Sequence, residues 1–138
     1  MEVLWKAFFG VINFWIGAAV QFNDVLHGFR EGQGTGTASL EAKLLQKLMT
    51  MREEVVYEVF LIICKSYDAL NRDWCLEILM GYGVSPQIKK IIRHYWNHLS
   101  MVARSGCYYG TPFKGHQGVT QGGPLYLTIF NMVVDAMI

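Results

Sequence analysis

Between Glu77 and Asp135 the sequence contains no acidic residue. Cysteine is scarce as well: Cys64, Cys75 and Cys107 are odd in number and make no C-x-x-C pair. That argues against a disulfide framework and for a reduced, intracellular chain of the nucleus or cytoplasm, with Cys64 expected as a small core hydrophobe. Long apolar runs are also missing. The stretch Ala7 to Val20 carries no charge, but it is too short to span a bilayer and has Asn13 in its middle. A signal peptide would suit its length and the small residues Gly17, Ala18 and Ala19. Glu2 spoils the positive n-region, however, and nothing downstream looks like a secreted, disulfide-bonded domain. A buried amphipathic helix fits better, which leaves a small membrane-associated or secreted protein as the lesser alternative and no membrane as partner. No repeat or low-complexity tract is present. No Ser-His-Asp or Cys-His arrangement has supporting context. The Gly-x-Gly pairs at 32–34 and 34–36 do not follow a strand, so a dinucleotide site is excluded.

What is there is a chain of 138 residues, long enough for one domain with a real core. Its hydrophobic fraction of 52% excludes disorder, and with the positive mean hydropathy it leaves apolar surface for a missing neighbour. The net charge of +1 is unevenly spread. The interval without acids carries Lys89, Lys90, Arg93, Arg104 and Lys114, with His94, His98 and His116 among them. Tyr95, Trp96, Tyr108, Tyr109 and Phe113 are interleaved. Cations compensate phosphate charge and aromatic faces stack on bases, so the pattern favours a nucleic acid as partner. A mildly basic solvated face over a Tyr/Trp core is the alternative. His94 and His98 have metal-clamping spacing, but with no third ligand in view an exposed or RNA-facing pair is the better reading.

The periodicity predicts a helix over 3–22, then a Gly-rich loop at 28–37. Ser39 is the expected N-cap of a helix to Met51, with Leu40, Leu44, Leu45 and Leu48 on one face. Val55 to Cys64 is a continuous β-branched run that predicts a strand covered on both faces. Helices follow over 71–80 and, from the Ser85-Pro86 signal, to about His98. Segments 99–104 and 108–113 around Ser105-Gly106 predict a β-hairpin. Pro124 opens a last helix that is expected to be still running at Ile138, as in a chain cut from a longer one. Met49, Met51, Met80 and Met132 are expected in the core.

Three separated stretches share one resemblance. GFREGQGTGTA (28–38) is similar to the fingers motif of reverse transcriptases. VFLIICKSYDAL (59–70) resembles the palm motif whose usual form is Leu-Asp-x-x-Lys-Ala-Phe-Asp. GVTQGGPLYLTIFN (118–131) resembles the next one, Gly-Val-x-Gln-Gly-Asp-Pro-Leu-Ser-Pro-x-Leu-Phe-Asn. The order and flavour are those of non-LTR (LINE-type) retroelements. The resemblance implies an α/β mixed (α+β) fold: partial fingers over about 1–54 and partial palm over about 55–138. Helices would pack on a small, mainly antiparallel sheet, and RNA or an RNA–DNA hybrid and the remainder of the polymerase chain would be partners.

The family performs RNA-directed DNA synthesis with two Mg²⁺ ions held by hard oxygen ligands on the palm. Counting from Lys65 and Asp68, the first ligand belongs at position 62, which is Ile62. The Tyr-x-Asp-Asp pair lies past the end of the sequence. Gly123, Tyr126 and Leu127 also depart from the third motif, as Gln33 and Ser66 do from the others. The expectation is therefore a chain without polymerase activity and without bound Mg²⁺, with Asp68 the only remaining carboxylate candidate. Cys64 shares a face with position 62 but is too soft a ligand. By resemblance Arg30 would meet the nucleotide triphosphate, Tyr67 the incoming sugar, and Gln121 and Gly122 the base pair. The alternatives are an unpartnered surface arginine, a core aromatic and a tight turn before Pro124. Lys65 is read as a solvated charge at the strand end. A residual RNA-binding module, with Lys89, Lys90, Arg93, Arg104 and Lys114, and a decayed open reading frame remain as other readings.

Overall fold

The computed structural model describes residues 3–120 and 122–138. Among these the fold is mixed, α plus β: five helices and one two-stranded antiparallel hairpin. Helix α1 is Val3–Ala19, α2 Thr35–Met51, α3 Arg72–Gly81, α4 Pro86–His98 and α5 Pro124–Asp135; strands β1 (Arg104–Ser105) and β2 (Tyr108–Tyr109) form the hairpin. None of these helices is long and apolar enough to cross a membrane.

Local chemistry sets most boundaries. The Asn71 side chain accepts from the Trp74 amide at 3.1 Å and opens α3. Ser85 caps α4 ahead of Pro86, whose missing N–H costs nothing in a first turn. Pro124 opens α5 in the same manner. Three helices differ from the periodic reading. Helix α1 ends at Ala19 rather than reaching residue 22. Helix α2 begins at Thr35 rather than after Ser39, because the Thr37 hydroxyl accepts from the Gly34 amide at 2.9 Å and supplies the cap earlier. Helix α5 ends at Asp135 instead of running to Ile138.

The core lies between helices. Phe9, Ile12 and Ile16 of α1 meet Leu125, Tyr126, Ile129, Met132 and Val133 of α5; Cys75, Leu76 and Leu79 of α3 and Ile92 and Trp96 of α4 complete it. Helix α5 packs on α1 and α3, and α3 on α4. Spacings of three and four residues put these side chains on one stripe of each helix.

The strand expected over 55–64 does not form. Residues 52–63 are irregular and exposed, and Ile62 is 89% exposed. A strand covered on both faces needs neighbours for its amides and carbonyls, and among the described residues the only ladder pairs Arg104 with Tyr109 and Ser105 with Tyr108. Helices therefore pack on helices, not on a sheet. Cys64 is exposed rather than a core hydrophobe, since it follows this segment. Leu40, Leu44, Leu45 and Leu48 do share an apolar face, but it stands open among the described residues and α2 has no buried residue. Of the methionines expected inside, Met132 is fully buried and Met51 is exposed.

Candidate functional site

The second and third sequence motifs meet directly. The turn after Lys65 closes with a hydrogen bond from the Ala69 amide to the Lys65 carbonyl, 2.9 Å. The loop before α5 docks on that turn: the Gly118 amide donates to Leu70 O at 2.8 Å and the Val119 amide to Tyr67 O at 3.0 Å. Gly118 has φ +78, and a Cβ there would stand 2.8 Å from the Asp68 carbonyl oxygen. Only glycine satisfies both conditions. Tyr67 then stacks on Phe130 of α5, ring centroids 4.7 Å apart. The first motif joins through the adjacent residue: buried Asn131 donates from Nδ2 to Gly28 O at 2.7 Å.

Arg72 fastens the same loop from below. Its Nε donates to Gly118 O at 2.8 Å, and Nη1 to Gly115 O at 2.7 Å and to Trp96 O at 3.4 Å, with the guanidinium 5.7 Å from the Trp96 ring centroid. Burial lowers the Arg72 pKa, an effect partly opposed by Tyr126 and Tyr95. Between these parts a cavity of about 530 Å³ is lined by Asp68, Arg72, Tyr95, Ser100, Gln117 and Thr120. Behind it the buried Tyr126 hydroxyl faces Thr120, Tyr95 and Trp96 without hydrogen-bond geometry to any described residue, and burial pushes its pKa up.

The predicted nucleotide and metal positions are scattered. Ile62 lies outside the site, on the exposed segment. Asp68 is exposed at the cavity rim. Arg30 is turned inward: Nη1 donates to Asn23 O at 2.8 Å and Leu26 O at 3.0 Å, over the Phe22 ring. This staple leaves the guanidinium committed to its own loop. Gln121 lies outside the described residues. Gly122 is exposed with φ +92, a turn conformation suited to glycine ahead of Pro124.

The basic residues divide into paired and unpaired. Lys89 meets Glu77 at 2.8 Å and Arg93 meets Asp73 at 3.3 Å, so α3 neutralises part of the α4 charge. Lys89 donates to Glu77, and this holds the Glu77 carboxyl below its ordinary pKa. Lys90 is exposed beside an open apolar groove formed with Trp5, Phe8, Ile91 and Tyr95. Arg104 lies 5.5 Å from the Tyr109 ring centroid across the hairpin, and Tyr108 beside it is 83% exposed. Lys114 and His116 project into a separate cavity with Arg93. His98 Nδ1 donates to the His94 carbonyl at 2.8 Å, with the rings 4.2 Å apart.

The Mg²⁺ site that the resemblance implies does not fit these residues. Mg²⁺ needs several hard oxygen ligands together. Position 62 offers hydrocarbon, and no three of His, Cys, Asp or Glu gather among the described residues.

Sequence reasoning missed Arg72, Asn131 and His27. A signal existed for Arg72: a cation in the first turn of α3 runs against the helix dipole and so needs a tertiary reason. His27, buried, meets Gln33 Oε1 at 2.8 Å, Thr37 Oγ1 at 2.9 Å and Glu41 Oε2 at 3.1 Å, tying α2 to the preceding loop. Comparison with protein-family models, with curated proteins and with solved structures gives no match.

Proposed function

We propose that this chain is a piece of an RNA-directed DNA polymerase of the non-LTR retroelement kind, unable to polymerise, whose remaining capacity is to hold RNA. One observation carries the reading. The three motif-like segments, which begin 31 and then 59 residues apart in sequence, meet around α5 through Asn131–Gly28, Phe130–Tyr67 and Gly118–Leu70. Segments that shape one site must be neighbours in space, whatever chemistry has been lost.

The lost chemistry is specific. With Ile62 at the ligand position, nothing there activates a primer hydroxyl. RNA recognition needs less: a cation for phosphate and an open aromatic face for a base. The hairpin supplies both, with Arg104 and Tyr109 opposed and Tyr108 beside them.

The test uses the purified chain and a labelled single-stranded RNA with a 5′-hydroxyl end. Fluorescence anisotropy should show salt-sensitive binding, with a salt slope reduced by about one in Arg104→Ala. Binding that ignores salt, or none, rejects the RNA reading. Mg²⁺-dependent primer extension by the same preparation, abolished in Tyr67→Ala, overturns the loss of polymerase activity.

A further inference from the structure

Arg72 is a half-buried cation whose hydrogen bonds all go to neutral carbonyls, those of Gly118, Gly115 and Trp96. No carboxylate pairs with it among the described residues. A guanidinium removed from water without a counter-charge is costly, and the surroundings normally supply one. Here they supply more positive charge. Beside Arg72 a cavity of about 290 Å³ opens between α3, α4 and the loop at 114–116, lined also by Arg93, Asn97, Lys114 and His116. Asp73 is the one acid on this wall; it is 86% exposed and holds Arg93 at 3.3 Å. Lys114 and His116 have no hydrogen-bond or ion-pair partner among the described residues.

We propose that this cavity is a binding site for a phosphoryl group, either free phosphate or the terminal phosphate of a nucleotide or nucleic acid. The donors suit a tetrahedral dianion. The Arg93 fork and the Lys114 ammonium give charge-assisted hydrogen bonds, and the Asn97 amide and His116 ring add donors from two sides. Arg72 is a positioning residue: by holding the Gly115 and Gly118 carbonyls it fixes the loop that carries Lys114 and His116, and its charge adds to the field. The volume holds a phosphate with room for part of the molecule that carries it, and a terminal phosphate, unlike an internal diester, brings the dianionic charge these donors suit. The site shares no lining residue with the β1–β2 hairpin and does not depend on the RNA reading.

Titration calorimetry of the full chain with inorganic phosphate, in chloride near physiological strength, tests it. The expected result is saturable binding, weakened about tenfold in Lys114→Ala and in Arg93→Ala, the usual effect of losing one charge-assisted hydrogen bond. Lys47→Ala on α2 should bind as the parent does. Both cavity positions are solvent-accessible, so an unchanged circular dichroism spectrum verifies that the variants fold. No saturable binding, or binding that both cavity variants leave unaltered, overturns the proposal. A 5′-phosphorylated oligoribonucleotide compared with its 5′-hydroxyl twin separates the sources. Tighter binding of the phosphorylated form, competed by inorganic phosphate, identifies a terminal phosphate; equal binding of the two, with free phosphate still bound, identifies the free ion. Either upholds the site, and the 5′-hydroxyl RNA reports on the hairpin alone.

Discussion

Gly118 and Asp68 touch backbone to backbone: a Cβ built at 118 would stand 2.8 Å from the Asp68 carbonyl oxygen and 2.9 Å from its Cα. The glycine also holds φ +78. Backbone on both sides cannot swing away as a flexible side chain would. Gly118→Ala should therefore cost about 2 kcal/mol or more, the sum of a left-handed conformation and a forced displacement. Urea denaturation measures it. A midpoint equal to that of the parent chain would mean that the loop and the 65–70 turn are not packed as described.

Alkaline stability follows from one buried group, Cys75, and one partly buried group, Tyr82. Burial pushes the Cys75 thiol from 9.0 up to about 11. Burial, reinforced by the hydrogen bond to Asp135, pushes the Tyr82 phenol from 10.0 up to about 12. Both folded-state values are raised, so the folded protein keeps protons that the unfolded chain releases. The stabilisation is complete below pH 9 and is lost from about 9 to 11 for Cys75, then from about 10 to 12 for Tyr82. The Cys75 contribution is on the order of 2 kcal/mol. Denaturation midpoints should fall above pH 9, less steeply in Cys75→Val, and Tyr82→Phe should flatten the later part. A pH-independent midpoint up to pH 11 would contradict the burial of Cys75.

The thiols should divide two to one. Cys64 and Cys107 are exposed and Cys75 is buried, with its thiolate disfavoured. A thiol-specific reagent at pH 8 should modify two cysteines quickly in the native chain and the third only in denaturant. Rapid labelling of all three would place Cys75 at the surface.

Residues 59–63, VFLII, are an uncharged, β-branched and aromatic run open to solvent. Such a segment pairs readily with further copies of itself. Ile62→Asp introduces a charge where no packing is lost, so thermal stability should change by less than about 0.5 kcal/mol while the concentration at which the chain scatters light rises. Unchanged scattering would locate the association elsewhere, on α1 or the open face of α2.

The starts of α3, α4 and α5 were legible because their signals are local. Asn71, Ser85-Pro86 and Pro124 act on the amides of their own first turn, and Ser105-Gly106 bends a hairpin within a few residues. A buried amphipathic helix in the first twenty residues was legible for the same reason, and the structure shows its buried stripe to be Phe9, Ile12 and Ile16. Periodicity also put Leu40, Leu44, Leu45 and Leu48 on one face, but an apolar face does not say whether anything covers it.

Only the tertiary structure decided the rest. A strand at 55–64 depends on partners elsewhere in the chain for its hydrogen bonds, and none of the described residues pairs with it. The charge pattern of the acid-free interval read as an open basic surface until α3 laid Glu77 on Lys89 and Asp73 on Arg93. Arg30 read as a phosphate contact, yet its guanidinium closes on carbonyls a few residues away. Arg72, which gathers carbonyls 24 to 46 residues distant, gave no sign beyond an unfavourable place in its helix. Propensity and capping are settled within a turn of chain. Which charge is neutralised, and which edge is paired, depends on what folding brings near.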